Sequence, residues 1–148
     1  MRVDIWLLRA KMTKFRTYRE LSRLETFEER FEYLRLSGIV GQRTFGFDRW
    51  VNQQFYHSGE WRIVRNHVIV RDDGCDLGIP GMEIHSGLIV HHMNPVSLAE
   101  LQHGDDSVID PDVLITTSQL THNAIHYGDA SLLPRGPVVR ERGDTKLW

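Results

Sequence analysis

The sequence predicts an α+β domain in which a basic, helical N-terminal section precedes a strand–loop–strand–helix unit. Three observations carry this expectation. Thr26 with Glu29 three residues on is a capping-box signature, and Phe27, Phe31 and Leu34 follow at helical spacing. Leu88-Ile89-Val90 is a short apolar run ending in two histidines, His91 and His92, and it reads as a strand. About thirty residues later His122 and His126 stand four apart, so a helix there puts both on one face.

Taken in order, the chain up to about Arg23 is a weakly amphipathic, basic stretch. Leu7, Leu8, Met12, Phe15, Tyr18 and Leu21 alternate there with Arg9, Lys11, Lys14, Arg16 and Arg19, which predicts a helix. The capping box at Thr26 opens a second helix that continues to Gly38. Phe45, Phe47, Trp50, Phe55 and Tyr56 form an aromatic-rich connection; few basic residues interleave with them, so they read as core and not as base-stacking platforms. Ser58 then caps a helix with Trp61, Val64 and Val68 inward and Arg62 and Arg65 on other faces, ending near Asp72-Asp73-Gly74. A turn-rich unit with Gly78, Pro80 and Gly81 leads into a strand over residues 82–92, which Pro95 ends.

Beyond it, residues 97–101 predict a brief helix and residues 103–107 an exposed acidic loop. Residues 113–116 read as a second strand, and residues 118–127 as a helix that Gly128 stops. From Leu132 onward, Pro134, Gly136, Pro137 and Gly143 predict an extended tail on the surface. The expected division is residues 1–57 as the helical basic section, 58–130 as the core unit and 131–148 as the tail.

At 148 residues the chain is expected to form one domain, and its 41% hydrophobic and 26% charged content excludes wholesale disorder. No apolar stretch approaches the ~18 residues of a membrane span. The first residues carry Asp4 within too short an apolar core for a signal peptide. A lone Cys75 excludes an internal disulfide framework and fits a reducing cytoplasm, the expected location. The net charge of −2 conceals an asymmetry: residues 1–71 hold fourteen Lys and Arg against eight Asp and Glu, whereas residues 72–148 hold four against twelve. The basic half offers a surface for phosphate, with Arg62, Arg65 and Arg71 as its candidate contacts; a solvated helix face is the plainer reading of the same residues.

The histidines carry the chemistry. A divalent ion bound by neutral imidazoles needs them on rigid elements, with one position left open for water or substrate. His122 and His126 meet this on a helix, and His91 at a strand end completes a three-histidine face. His92 points the other way on a regular strand and is free to act as a base beside the ion. A structural zinc site is the competing reading, but such sites are closed by four ligands, often cysteines, and Cys75 lies outside the cluster. Three imidazoles suit zinc, nickel or copper by ligand softness better than magnesium, which can still act with one or two protein ligands and several waters; the expected cofactor is one divalent ion, Zn2+, Ni2+, Mn2+ or Mg2+.

This arrangement resembles the HNH nuclease superfamily, built on a ββα-metal core. His91-His92-Met93-Asn94-Pro95 resembles the family's first motif, which implies that His91 binds metal and His92 is the general base. Leu120-Thr121-His122-Asn123-Ala124-Ile125-His126 resembles its helical motif, which implies that His122 and His126 are ligands. Arg71-Asp72-Asp73-Gly74-Cys75 is similar to the segment that opens many such domains, and the likeness covers about residues 58–130. From Thr44 to Asp129 the chain further resembles small HNH proteins of tailed bacteriophages. That implies DNA as partner, a role in phage genome processing or packaging beside a terminase, and the host cytoplasm as location, with no membrane.

Two departures from the pattern stand out. The family's middle asparagine falls at Val113, so a backbone carbonyl, or else Asn94 or Asn123, must orient the base. Paired Cys-x-x-Cys knuckles are reduced to Cys75, with Gly78 where a partner would stand, so a second zinc is not expected. The expected function is therefore a metal-dependent HNH endonuclease that nicks or cuts DNA. The alternatives are a non-catalytic, metal-stabilised DNA-binding module and an RNA-cleaving nuclease toxin.

Overall fold

The computed structural model describes residues 15–36 and 47–134, with only the backbone of residues 47–49. Helices α1 (Tyr18–Leu21) and α2 (Phe27–Leu34) come first, followed by α3 (Phe47–His57) and α4 (Gly59–Arg71). Two short strands, β1 (Cys75–Asp76) and β2 (Met82–Glu83), pair antiparallel. A longer antiparallel pair joins β3 (Leu88–His92) to β4 (Leu114–Ser118), with α5 (Leu98–His103) in the connection and α6 (Gln119–Tyr127) directly after β4. The chain thus combines helices with two small antiparallel sheets, an α+β arrangement.

Local chemistry explains most of these boundaries. Thr26 and Glu29 form the reciprocal capping box of α2, and Ser97 and Glu100 form another at α5. Ser58 caps α4 and Ser118 caps α6, each accepting a hydrogen bond from a first-turn N–H. Gly128 ends α6 in the left-handed conformation, φ 65°, that glycine adopts without strain.

The β3–β4 hairpin is the middle layer. Its register sets His91 opposite Ile115 and His92 opposite Leu114. Because side chains alternate, the hairpin has two different apolar faces. Ile115 packs with Leu21, Tyr33, Leu34 and Ile125, which come from α1, α2 and α6. Val90 and Leu114 pack on the other face against Trp61, Val64 and Val68 of α4. Each fully buried side chain of this kind contributes roughly 1.5–3 kcal/mol. The helical section therefore shares its core with the hairpin.

Several expectations change. The single strand over residues 82–92 is two strands with different partners: β2 pairs with β1 and β3 with β4, and Gly87 at φ 69° turns the chain between them. The N-terminal helix is the single turn α1 within the described residues; Leu7, Leu8 and Met12 lie outside them. α2 ends at Leu34, short of Gly38, because Arg35 turns to extended backbone and Leu36 N–H bonds the carbonyl of Ile125. Gly38 and Phe45 lie outside the described residues. The aromatic connection is helical from Phe47 as α3, with Trp50 exposed and Phe55 packed on the α4 face of the core. Of the tail, Leu133 is buried with Phe31 and Ala124, and residues 135–148 lie outside the described set. Among the described residues no helix is long and apolar enough to cross a membrane.

Candidate metal centre

The register of β3 turns His91 toward the face that α6 covers, and the one-turn spacing of His122 and His126 aims both back at it. One nitrogen from each ring lies within 4.8 Å of the other two. Ring centroids are 5.2 Å apart for His91 and His122, 5.1 Å for His91 and His126, and 4.4 Å for His122 and His126. The His91 side chain is almost wholly enclosed, at 3% exposure.

The donor set fits a cation. His91 Nε2 and His122 Nδ1 are buried without a hydrogen-bond partner, and a buried polar atom left unmade costs roughly 1–3 kcal/mol. Burial pushes the His91 imidazole well below its ordinary pKa, and His122 and His126 push it further the same way. Burial lowers His122 and His126 as well. All three are thereby held neutral near pH 7, the form that binds a metal.

His92 occupies the opposite face, as strand alternation requires. Its ring stacks on the Trp61 indole, with centroids 5.4 Å apart and planes 16° from parallel. Phe55 and Tyr56 flank it at 6.3 and 6.5 Å. His92 Nε2 lies 2.9 Å from the carbonyl oxygen of Val108. A carbonyl only accepts, so Nε2 carries the ring proton and Nδ1 keeps its lone pair. Burial lowers the pKa of this histidine too, which keeps it neutral. Val113, meanwhile, is a buried core residue. Asn94 exchanges two hydrogen bonds with the backbone of Arg16, at 2.8 and 2.9 Å, and Asn123 accepts one from Gln119 at 2.9 Å. A backbone carbonyl orients His92, and neither asparagine does.

All four histidines line one cavity of about 880 Å³. Tyr56, Trp61 and Arg65 form part of its wall. Arg62 is exposed on α4, away from the core stripe. Arg71 corrects the expectation of a phosphate contact. Its guanidinium donates to both oxygens of Asp72 at 2.7 and 3.1 Å, to the Pro111 carbonyl at 2.6 Å and to the Leu114 carbonyl at 2.7 Å. It also lies 3.7 Å over the Tyr18 ring. Its donors are committed inside the fold. His85 is 85% exposed, with its Nε2 only 3.9 Å from Glu83, and stands apart from the cluster.

Two contributions were not legible in the chain. Trp61 fits its helix as a core residue, and only the stacking on His92 gives it a place in the site. Asp72 appears as one of two acids at a helix end, yet its side chain is buried and accepts the Thr116 N–H at 2.8 Å. Comparison with known protein families, with curated proteins and with solved structures finds no match to this chain.

Proposed function

We propose that this chain is a metal-dependent endonuclease of the HNH type that hydrolyses phosphodiester bonds in DNA. The observation that carries the proposal is the convergence of His91, His122 and His126 beside His92, whose proton is held on Nε2 by the Val108 carbonyl. The order of the elements that bear them, β3, β4 and α6, supports the same reading.

A divalent ion bound by the three imidazoles would supply positive charge to the phosphate and to the leaving oxygen. His92 takes the role of general base: Nδ1 accepts a proton from the attacking water while the Nε2–H to Val108 holds the ring. Trp61, stacked on that ring, limits its rotation. Arg65 at the cavity wall and Arg62 on the exposed face of α4 contact phosphates, which position a strand without reading its sequence. The roles in phage genome processing and beside a terminase rest on the resemblance of the motifs alone.

The test is incubation of the purified chain with supercoiled plasmid across a series of Zn2+, Ni2+, Mn2+ and Mg2+. Nicked or linear product is expected with at least one ion, and His92→Ala should slow its appearance by about 10²–10⁴-fold. A metal-loaded protein that leaves plasmid intact throughout would overturn the proposal. Selective cleavage of an RNA substrate would move the reading to a ribonuclease.

A further inference from the structure

Asp76 ends β1 with its side chain fully buried, at 0% exposure. Its carboxylate accepts four hydrogen bonds: from Gly78 N–H at 3.0 Å, Ser118 N–H at 3.2 Å, Ser118 Oγ–H at 2.8 Å and Thr121 Oγ–H. A buried carboxylate is tolerated only when donors replace its water, and charge-assisted bonds of this kind are strong and directional. This one also faces the N-terminal end of α6, where the helix dipole favours negative charge.

The donors come from one corner of the site. Ser118 ends β4 and caps α6, and its Oγ also accepts Thr121 N–H at 3.2 Å. Thr121 immediately precedes His122. From the other side Gly78 presses against the same helix turn: a Cβ there would collide with Thr121 Cγ2, so only glycine lets the β1–β2 loop close.

That corner joins the two elements that bring the three histidines together. β4 holds Ile115, the register partner of His91, and α6 follows β4 with no intervening loop. The direction in which α6 leaves β4 therefore decides whether its histidines reach His91. At 1.5 Å per residue, His126 is about 12 Å along α6 from Ser118, so a swing of about 10° would move it by about 2 Å. A shift of that size is a whole metal–nitrogen bond length.

We propose that Asp76 is a positioning residue that locks the β4–α6 corner at the angle where His122 and His126 meet His91. The proposal rests on reading those three histidines as ligands of one ion.

The test uses the full chain carrying Asp76→Asn, which keeps the shape but turns an NH2 toward groups that are themselves donors. Co2+ is the probe, since its visible spectrum reports ligand geometry. The folded variant is expected to bind Co2+ about tenfold or more weakly than wild type, with an altered visible band. Val68→Ala, which opens a cavity against the far side of the hairpin, controls for lost stability; it should melt earlier yet keep wild-type Co2+ affinity and spectrum. An Asp76→Asn protein with wild-type affinity and spectrum overturns the proposal, and so does a Val68→Ala protein with the same defect.

Should Asp76→Asn fail to fold, Thr121→Val deletes one donor at nearly constant volume. It should show the same change in smaller measure, and unchanged Co2+ binding there overturns the role. Wild-type protein that takes up no Co2+ sinks the ligand reading by itself. Imidazole proton contacts between His91 and His122, measured by NMR without metal, then decide the positioning role. They should be present in wild type and in Val68→Ala and lost in Asp76→Asn; their survival in Asp76→Asn overturns it.

Discussion

His92 and Val108 share a hydrogen bond, 2.9 Å from Nε2 to the carbonyl oxygen, that fixes which ring nitrogen is protonated. The strand alone cannot do this, because alternation sets the side on which a histidine points and not its tautomer. A positioned base contributes typically ~10²–10⁴-fold in rate. His92→Ala should therefore lose cleavage by about that factor while keeping its metal and its fold, with a lower melting temperature because the ring stacked on Trp61 and its bond to Val108 are gone. Plasmid cleavage rate, metal content and a melting curve on the same preparation check this. A variant that cuts at the wild-type rate, or one that loses its metal, removes His92 from the role.

One ion per chain should bind to wild type, and His122→Ala or His126→Ala should abolish tight binding. An ion present at a hundred times its Kd stabilises the folded state by about 2.7 kcal/mol, raising Tm by roughly 5–10 °C in a chain of this size. Calorimetric titration with Zn2+ and melting with and without a chelator give both numbers. Full stoichiometry in His126→Ala would place the ion elsewhere.

The metal-free protein should lose stability in acid around the histidine cluster. Burial holds His91 in the folded chain well below its ordinary pKa, with His122 and His126 adding to the effect. The unfolded chain titrates this group near 6.5, so below that pH it binds the proton that the folded state refuses. The contribution is thus complete above about pH 6.5 and is lost as the pH falls toward the depressed value. Urea midpoints of chelated protein from pH 8 to pH 5 should show it, and His91→Gln should flatten the slope. Equal slopes for both proteins would exclude His91 as the source.

The three arginines should separate into two behaviours. Arg62→Glu and Arg65→Glu should weaken binding to non-specific duplex and shallow its salt dependence, since each lost phosphate contact releases fewer counterions. Arg71→Ala should act on the fold, because it leaves the buried Asp72 carboxylate without its cation; breaking such a pair costs about 3–5 kcal/mol. DNA titrations at several salt concentrations and urea unfolding decide between the two. An Arg71→Ala protein as stable as wild type would contradict the structural role.

What the sequence by itself determined is what depends on near neighbours. The caps at Thr26 and Ser58 and the stop at Gly128 were legible because a cap bonds within its own first or last turn. The one-sided placement of His122 and His126, and the opposite faces of His91 and His92, follow from helix and strand periods that are equally local. The tertiary structure decided which distant groups meet. Arg71 reads as one more basic residue until the chain brings Pro111 and Leu114, 40 and 43 residues away, onto its guanidinium. Nothing near residues 82–92 reveals that β2 and β3 have separate partners, since a strand's partner is chosen by the whole sheet. The tautomer of His92, set by one bond, and the Asp76 carboxylate, held by four, belong to the same class: each depends on groups whose encounter only packing arranges.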